Sequence, residues 1–204
     1  GNIIEKQETE HFFMDKYSIL KQYYGHSAFR AGQEELIDSI LSGRDALCVM
    51  PTGGGKSLCY QIPALLLPGI TLVVSPLISL MKDQVAALKS AGVPAAYINS
   101  SLTGEQIRTV YARTRKGAYK LIYVAPERLE TNSFLSLMQE MDVSFLAVDE
   151  AHCISQWGQD FRPSYLGIVD FINALPRRPI VAAYTATATK QVQSDILRLL
   201  QLQS

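Results

Sequence analysis

Seven consecutive residues, Pro51-Thr52-Gly53-Gly54-Gly55-Lys56-Ser57, join three glycines to a lysine and a hydroxyl, a combination suited to holding a polyphosphate. Glycine adopts φ > 0 without penalty, so Thr52, Gly53, Gly54 and Gly55 can turn several backbone N–H groups toward one anion. A helix starting just after them would add its positive N-terminal end. Lys56 supplies a mobile point charge for β and γ phosphates, and Ser57 a hydroxyl for Mg²⁺. The strict pattern G-x-x-x-x-G-K-[ST] would need glycine where Met50 stands, so the loop does not decide the matter by itself.

A second element adds the missing chemistry. Residues 143–148, Val-Ser-Phe-Leu-Ala-Val, read as a buried strand that runs straight into Asp149-Glu150-Ala151-His152. An apolar strand ending in two acids is how a P-loop protein brings a carboxylate beside a phosphate-bound metal. Asp149 would hold Mg²⁺, directly or through water, and Glu150 would orient and deprotonate an attacking water. The bland alternative is an acidic turn after a strand. The chemical reading requires Lys56, Asp149 and Glu150 to converge at neighbouring strand tips around one Mg-nucleotide.

The elements that must position these groups follow from an alternation along the chain. Short β-rich apolar runs predict strands at 45–49, 70–74, 94–98, 120–124, 143–148 and 179–184. Amphipathic stretches between them predict helices near 8–23 and at 33–42, 56–66, 77–91, 103–116, 126–140 (as short pieces), 164–174 and 189–200. That pattern implies right-handed βαβ crossovers and a mostly parallel, doubly wound α/β sheet covered on both faces, in one domain.

Composition narrows the class. The chain has 204 residues, 48% of them hydrophobic, and no apolar run long enough to span a membrane; its polar start has no signal-peptide character. A cytoplasmic location is expected in a bacterium, with the nucleoid, or a nuclear one in a eukaryote. Cys48, Cys59 and Cys153 are scattered and odd in number, which favours reduced core thiols over a metal site. Lys and Arg number 19, as do Asp and Glu, so bulk charge gives no sign of a polyanionic partner. Arg108, Arg113, Arg115, Lys116 and Lys120 cluster, but their helical spacing reads better as a solvated face.

Four further motifs lie on strand ends or helix starts. Upstream, Tyr24-Gly25-His26-Ser27-Ala28-Phe29-Arg30-Ala31-Gly32-Gln33 carries a glutamine amide able to match the N6 and N7 edge of adenine. Ser75-Pro76-Leu77-Ile78, Tyr123-Val124-Ala125-Pro126 and Tyr184-Thr185-Ala186-Thr187 each follow a strand and could offer N–H or hydroxyl groups to a phosphate backbone. Each could equally be a helix cap.

Taken in order, Phe29-Arg30-x-x-Gln33, Met50 to Ser57, Ser75-Pro76-Leu77, Asp149-Glu150-Ala151-His152 and Thr185-Ala186-Thr187 resemble the motifs of the RecQ family of DNA helicases. Cys153-Ile-Ser-Gln-Trp-Gly-Gln-Asp-Phe-Arg-Pro163 resembles that family's aromatic-rich loop. The resemblance implies a RecA-like P-loop domain that binds ATP and Mg²⁺. By it, Gln33 and Arg30 recognise adenine and its surroundings, His26 stacks on the base, and Ala31 stands where proline is frequent. His152, Thr185 and Thr187 would link the nucleotide site to strand binding. Trp157, Phe161 and Arg162 suit a sensor of single-stranded DNA, because stacking on a ring or guanidinium tolerates any base. The alternative for the aromatic pair is burial under the loop.

The resemblance also implies a second RecA-like domain that closes on ATP and supplies an arginine. With only one helix after Thr185, the chain is expected to be the first motor domain of a longer protein, with residues 1–17 as an extension. Alone it should bind ATP weakly and unwind nothing. The implied action is 3′ to 5′ movement on single-stranded and partially duplex DNA. Two rivals are a DEAD/DEAH-type RNA helicase and a nucleotide-dependent switch that does not hydrolyse ATP.

Overall fold

The computed structural model describes residues 15–51, 55–186 and 189–203. Thr52, Gly53, Gly54 and Thr187, four of the expected site residues, lie outside them, as do the first residues of the helix expected near 8–23.

Six parallel strands form one sheet: β1 (Ala46–Val49), β2 (Ile70–Val74), β3 (Ala95–Ile98), β4 (Leu121–Val124), β5 (Val143–Val148) and β6 (Ile180–Thr185). Their spatial order is β1-β6-β5-β2-β4-β3. Among the described residues eight α-helices cover it: α1 (Lys16–Tyr24), α2 (Gln33–Leu41), α3 (Leu58–Leu66), α4 (Ile78–Ser90), α5 (Gly104–Arg115), α6 (Asn132–Glu140), α7 (Ile168–Ala174) and α8 (Lys190–Leu199). The segment expected as helix over 164–174 divides into a 3₁₀ turn, Pro163–Gly167, and α7. A second turn, Pro126–Glu130, precedes α6, and a third, Ala151–Ile154, was not anticipated.

Handedness explains the layering. The steps β1 to β2 and β2 to β3 run one way across the sheet, whereas β3 to β4, β4 to β5 and β5 to β6 run back. Right-handed crossovers therefore put their helices on opposite faces. One core indeed packs Leu20, Ile37, Ile62 and Met81 of α1 to α4 against Val73, Phe145 and Ala147; the other packs Phe134, Phe171 and Ile196 of α6 to α8 against Leu72, Leu146 and Val148. Alternate residues of each strand thus serve opposite cores, which is why the strands read as continuous apolar runs.

Local signals fix the helix ends. The Asp15 carboxylate accepts the Ser18 N–H at 2.8 Å to start α1, and Gly25, at φ 71°, stops it. Thr103 and Gln106 form a reciprocal capping box on α5, and the Thr189 hydroxyl accepts the Val192 N–H at the start of α8.

Candidate active site

The C-terminal tips of β1, β6 and β5 carry the chemistry, and their order corrects one expectation. Lys56 and the acids do not leave neighbouring strands, because β6 lies between β1 and β5. The return run of crossovers inserts it there. Two strand spacings amount to about 10 Å, and the Lys56 side chain closes that gap. Its Nζ lies 2.8 Å from Asp149 Oδ1 and 3.2 Å from Glu150 Oε1. The intervening tip brings Thr185 into the middle of the group, where its carbonyl accepts the Met50 N–H at 2.9 Å.

The acids are held rigidly. Asp149 N–H donates to the Val74 carbonyl at 2.8 Å, and the Tyr165 hydroxyl donates to the Asp149 carbonyl at 2.8 Å. Asp149 Oδ1 also accepts the Glu150 N–H at 2.9 Å. Glu150 sits at φ 50° and ψ 45°, in the left-handed region that non-glycine residues avoid. Strain of this kind persists only where surrounding contacts impose it, and it aims Glu150 back toward Lys56. Glu150 Oε2 lies 3.5 Å from His152 Nε2, and His152 Nδ1 is hydrogen-bonded to Thr185 Oγ1 at 2.9 Å. A polar chain therefore runs from Lys56 through Glu150 and His152 to Thr185.

Burial pushes the Asp149 carboxyl above its ordinary range, an effect that the Lys56 charge only partly offsets. Burial acts on Lys56 in the opposite direction, but Asp149 and then Glu150 outweigh it, so Lys56 is held as an ammonium. Two carboxylates facing one cation leave an excess negative charge that a second cation would relieve. Ser57 and Asp149 offer oxygen donors only, and among the described residues no group of three or more His, Cys, Asp or Glu is arranged to hold a metal ion by itself. Hard oxygen donors few in number fit Mg²⁺, which is commonly held by one or two carboxylates together with phosphate. The Ser57 hydroxyl does not cap α3, and Ser57 also lines a second cavity, with Tyr24, Gln61 and Gln84.

Beside β1 a cavity of about 420 Å³ is lined by Arg30, Gln33, Leu36, Leu47, Met50 and Lys56, among others. Gln33 is 2% exposed, its Oε1 accepting the Arg30 N–H at 2.8 Å and its Nε2 donating to the Gly55 carbonyl at 3.4 Å. A Cβ on Gly55 would sit 2.4 Å from Gln33 Nε2, so any larger residue there would push the Gln33 amide from its present place. His26 is exposed and does not line this cavity; Gly25 turns the chain out of α1 just before it.

The remaining expected residues lie on the other side of the acids. Ser75 is buried, its hydroxyl accepting the Leu77 N–H at 3.2 Å, so it supports the turn before α4. Trp157 is 75% exposed, so burial under the loop does not describe it, while Phe161 and Arg162 are half-buried. The Arg162 guanidinium pairs with Asp160 at 3.1 Å, and the Arg162 backbone N–H donates to the Cys153 carbonyl at 2.8 Å. Tyr165 was missed by sequence reasoning. Its role lies in one long-range bond to a backbone carbonyl, for which no spacing signal exists.

Other expectations resolve simply. Burial raises the thiols of Cys48 to about 11, and of Cys59 and Cys153 to about 12, so all three stay protonated. Arg108, Arg113, Arg115 and Lys116 are exposed on or beside α5, whereas Lys120 donates to the carbonyls of Leu67 and Gly69. Among the described residues no helix is long and apolar enough to cross a membrane.

Comparison with known proteins agrees with this geometry. A RecQ DNA helicase of Bacillus subtilis is 52% identical over 187 residues, covering 91% of this chain and 32% of that protein. One from Haemophilus influenzae is 54% identical over 187 residues, covering 92% of this chain and 30% of that protein. The chain thus spans about a third of the length of these relatives. Among solved structures, the Hef helicase domain of Pyrococcus furiosus matches with a TM-score of 0.67 at 22% identity, over 86% of this chain and 37% of that one. The helicase MrfA bound to DNA and AMPPNP matches with a TM-score of 0.71 at 16% identity, over 94% and 28%. These two likenesses establish the fold. A family model described as DEAD/DEAH box helicase matches residues 30–195, and the chain belongs to that family.

Proposed function

We propose that this chain is the first RecA-like motor domain of a RecQ-type, ATP-dependent DNA helicase. The observation that carries the proposal is the convergence of Lys56 with Asp149 and Glu150, continued through His152 to Thr185. Identity above 50% to RecQ helicases favours DNA over RNA as the stimulating strand.

In this reading Lys56 leaves the carboxylates to contact the β and γ phosphates, together with the backbone of Thr52, Gly53, Gly54 and Gly55. Mg²⁺, when bound, supplies neutralisation of the phosphate charge that develops in transfer. Ser57 and Asp149 hold it, which also relieves the excess negative charge around Asp149. Glu150, freed from Lys56, orients the attacking water and accepts its proton. Gln33 and Arg30 read adenine; to do so, the Gln33 amide must turn from the Gly55 carbonyl it now meets. His26 would need to swing over the cavity to stack on the base.

Trp157, Phe161 and Arg162 contact single-stranded DNA, Ser75 serves that surface from beneath by supporting the turn before α4, and His152, Thr185 and Thr187 pass the strand's presence to Glu150. A second RecA-like domain completes the ATP cleft, and its opening and closing drive 3′ to 5′ movement on partially duplex DNA, in the nucleoid of a bacterial cytoplasm or in a nucleus. The test is ATP hydrolysis by the protein comprising both motor domains, with single-stranded DNA, RNA or neither. Stimulation by DNA well above that by RNA is the expected result. Preference for RNA, or no turnover with Mg²⁺ and ATP, would refute the proposal.

A further inference from the structure

Ser155 and Asp195 have no part in the roles assigned above, yet both are withdrawn from water, at 0% and 5% exposure. Ser155 follows the 3₁₀ turn Ala151–Ile154, and Asp195 lies on α8. The Ser155 hydroxyl donates to Asp195 Oδ2 at 2.7 Å and accepts the Trp157 N–H at 3.1 Å. Asp195 Oδ1 accepts from Gln191 Nε2 and Arg198 Nη2, both at 3.2 Å. A carboxylate is tolerated out of water when its oxygens are satisfied in this way, and hydrogen bonds to it are short and strong.

Cys153 and Ile154, just before Ser155, share a core with Val192 and Ile196 of α8, so the turn is seated by packing, whereas the loop beyond Ser155 is not. Between the aromatic loop and α8 lies a cavity of about 300 Å³ lined by Trp157, Phe161, Leu166, Asp195 and Arg198, among others. The Ser155 bond is therefore the polar tie that carries this seating on to the backbone of Trp157. That helix begins just beyond Thr185, which is hydrogen-bonded to His152, and His152 reaches Glu150. Trp157 is thus joined to Glu150 twice, through the chain from 150 to 157 and through α8.

We infer that Asp195 is a positioning residue: through Ser155 it fixes the aromatic loop to α8, so that a base stacked on Trp157 loads the helix leading back to Thr185 and His152. The inference rests on the reading of Trp157 as a contact for single-stranded DNA.

Trp157 is the single tryptophan of the 204-residue chain, so its fluorescence reports this loop alone. Acrylamide quenching and anisotropy would be measured for the unsubstituted chain, Asp195→Ala, Asp195→Asn and Ser155→Ala, followed by titration with a single-stranded oligonucleotide. Asp195→Ala and Ser155→Ala should raise quenching, lower anisotropy and weaken oligonucleotide binding about tenfold, the size expected for a lost hydrogen bond to a charged group. Asp195→Asn should stay close to the unsubstituted chain, because its amide oxygen still accepts the Ser155 hydroxyl. Should Asp195→Ala fail to fold, Ser155→Ala removes the same bond with less disturbance. Unchanged quenching in Ser155→Ala, or a loosened loop with undiminished oligonucleotide affinity, would overturn the inference. An unsubstituted chain whose emission ignores DNA, alongside a loosened loop in Asp195→Ala, would instead count against the DNA-contact reading.

Discussion

Around Lys56, one cation and two carboxylates lie mostly out of water against one another, whereas a few residues beyond Glu150 the Trp157 ring stands in solvent on a well-bonded backbone. Each region departs from ordinary burial in the opposite sense. Withdrawing an ion from water costs several kcal/mol, and leaving a large aromatic exposed forgoes about 2 kcal/mol or more of burial. Neither arrangement benefits the fold, so each is better explained by what binds there. The charged region suits a polyanion with its metal; the exposed ring suits the flat apolar face of a base. Tyr165 and His152 lie between them, tying the backbone of Asp149 and the side chain of Glu150 to the segments that carry the loop.

The strongest way to break the contrast is Lys56→Ala. ATP hydrolysis by the protein with both motor domains should fall by at least about 10²-fold, the usual effect of removing one preorganised donor at a charge-developing site. Asp149 and Glu150 would then face each other without a cation, lowering stability by about 2 kcal/mol, less than for a fully buried pair. Adding Asp149→Asn should restore stability but not turnover. A Lys56→Ala protein that hydrolyses ATP normally would leave the charged region without a function.

Alkaline pH separates the two regions next. Burial raises Tyr123 to about 12 and holds Tyr60, Tyr165 and Tyr184 further above their ordinary value of 10.0, while Lys56 is raised above 10.5. Groups raised on folding stabilise fully below their unfolded values and lose that contribution as pH climbs through the folded ones. Stability should therefore stay level to about pH 10 and then fall by up to about 1.4 kcal/mol per pH unit for each such tyrosine. Urea midpoints across that range measure it. A midpoint insensitive to alkali would mean these hydroxyls are not confined as described.

Trp157→Ala tests the other region. Stability should change by no more than about 0.5 kcal/mol, as at other exposed positions, and nucleotide affinity should be retained. Single-stranded DNA should bind more weakly by about 1–3 kcal/mol, the value of one stacked base. A protein unfolded by this substitution would show the ring to be structural after all.

Much of this was legible in the sequence because it is local or periodic. Apolar runs alternating with amphipathic stretches gave the six strands of the described residues, and the Lys56 and Asp149-Glu150 patterns gave the side chains that meet. Strand order was not legible. Nothing in the composition of residues 180–185 says that they lie between β1 and β5; that follows from the direction of the crossovers in space. The bonds of Tyr165 to Asp149 and of Ser155 to Asp195 span 16 and 40 residues with no repeating spacing, so only the fold reveals them. The left-handed Glu150 was hidden for a different reason. Such a conformation is usually signalled by glycine or asparagine, and here an acid occupies it instead.

That conflict yields the smallest effect and the cleanest comparison, Glu150→Gly against Glu150→Ala. Both remove the carboxylate, so both lose its contact with Lys56 and both should abolish hydrolysis. They differ in the backbone. Alanine keeps the strain of φ 50°, whereas glycine adopts that conformation freely. The glycine variant should therefore be the more stable by about 1 kcal/mol despite its more flexible unfolded chain. Alanine equal to glycine in a urea titration would mean the local backbone relaxes once the side chain is gone. The strain would then be a product of the Lys56 and His152 contacts rather than a property of the turn between β5 and the residues after it.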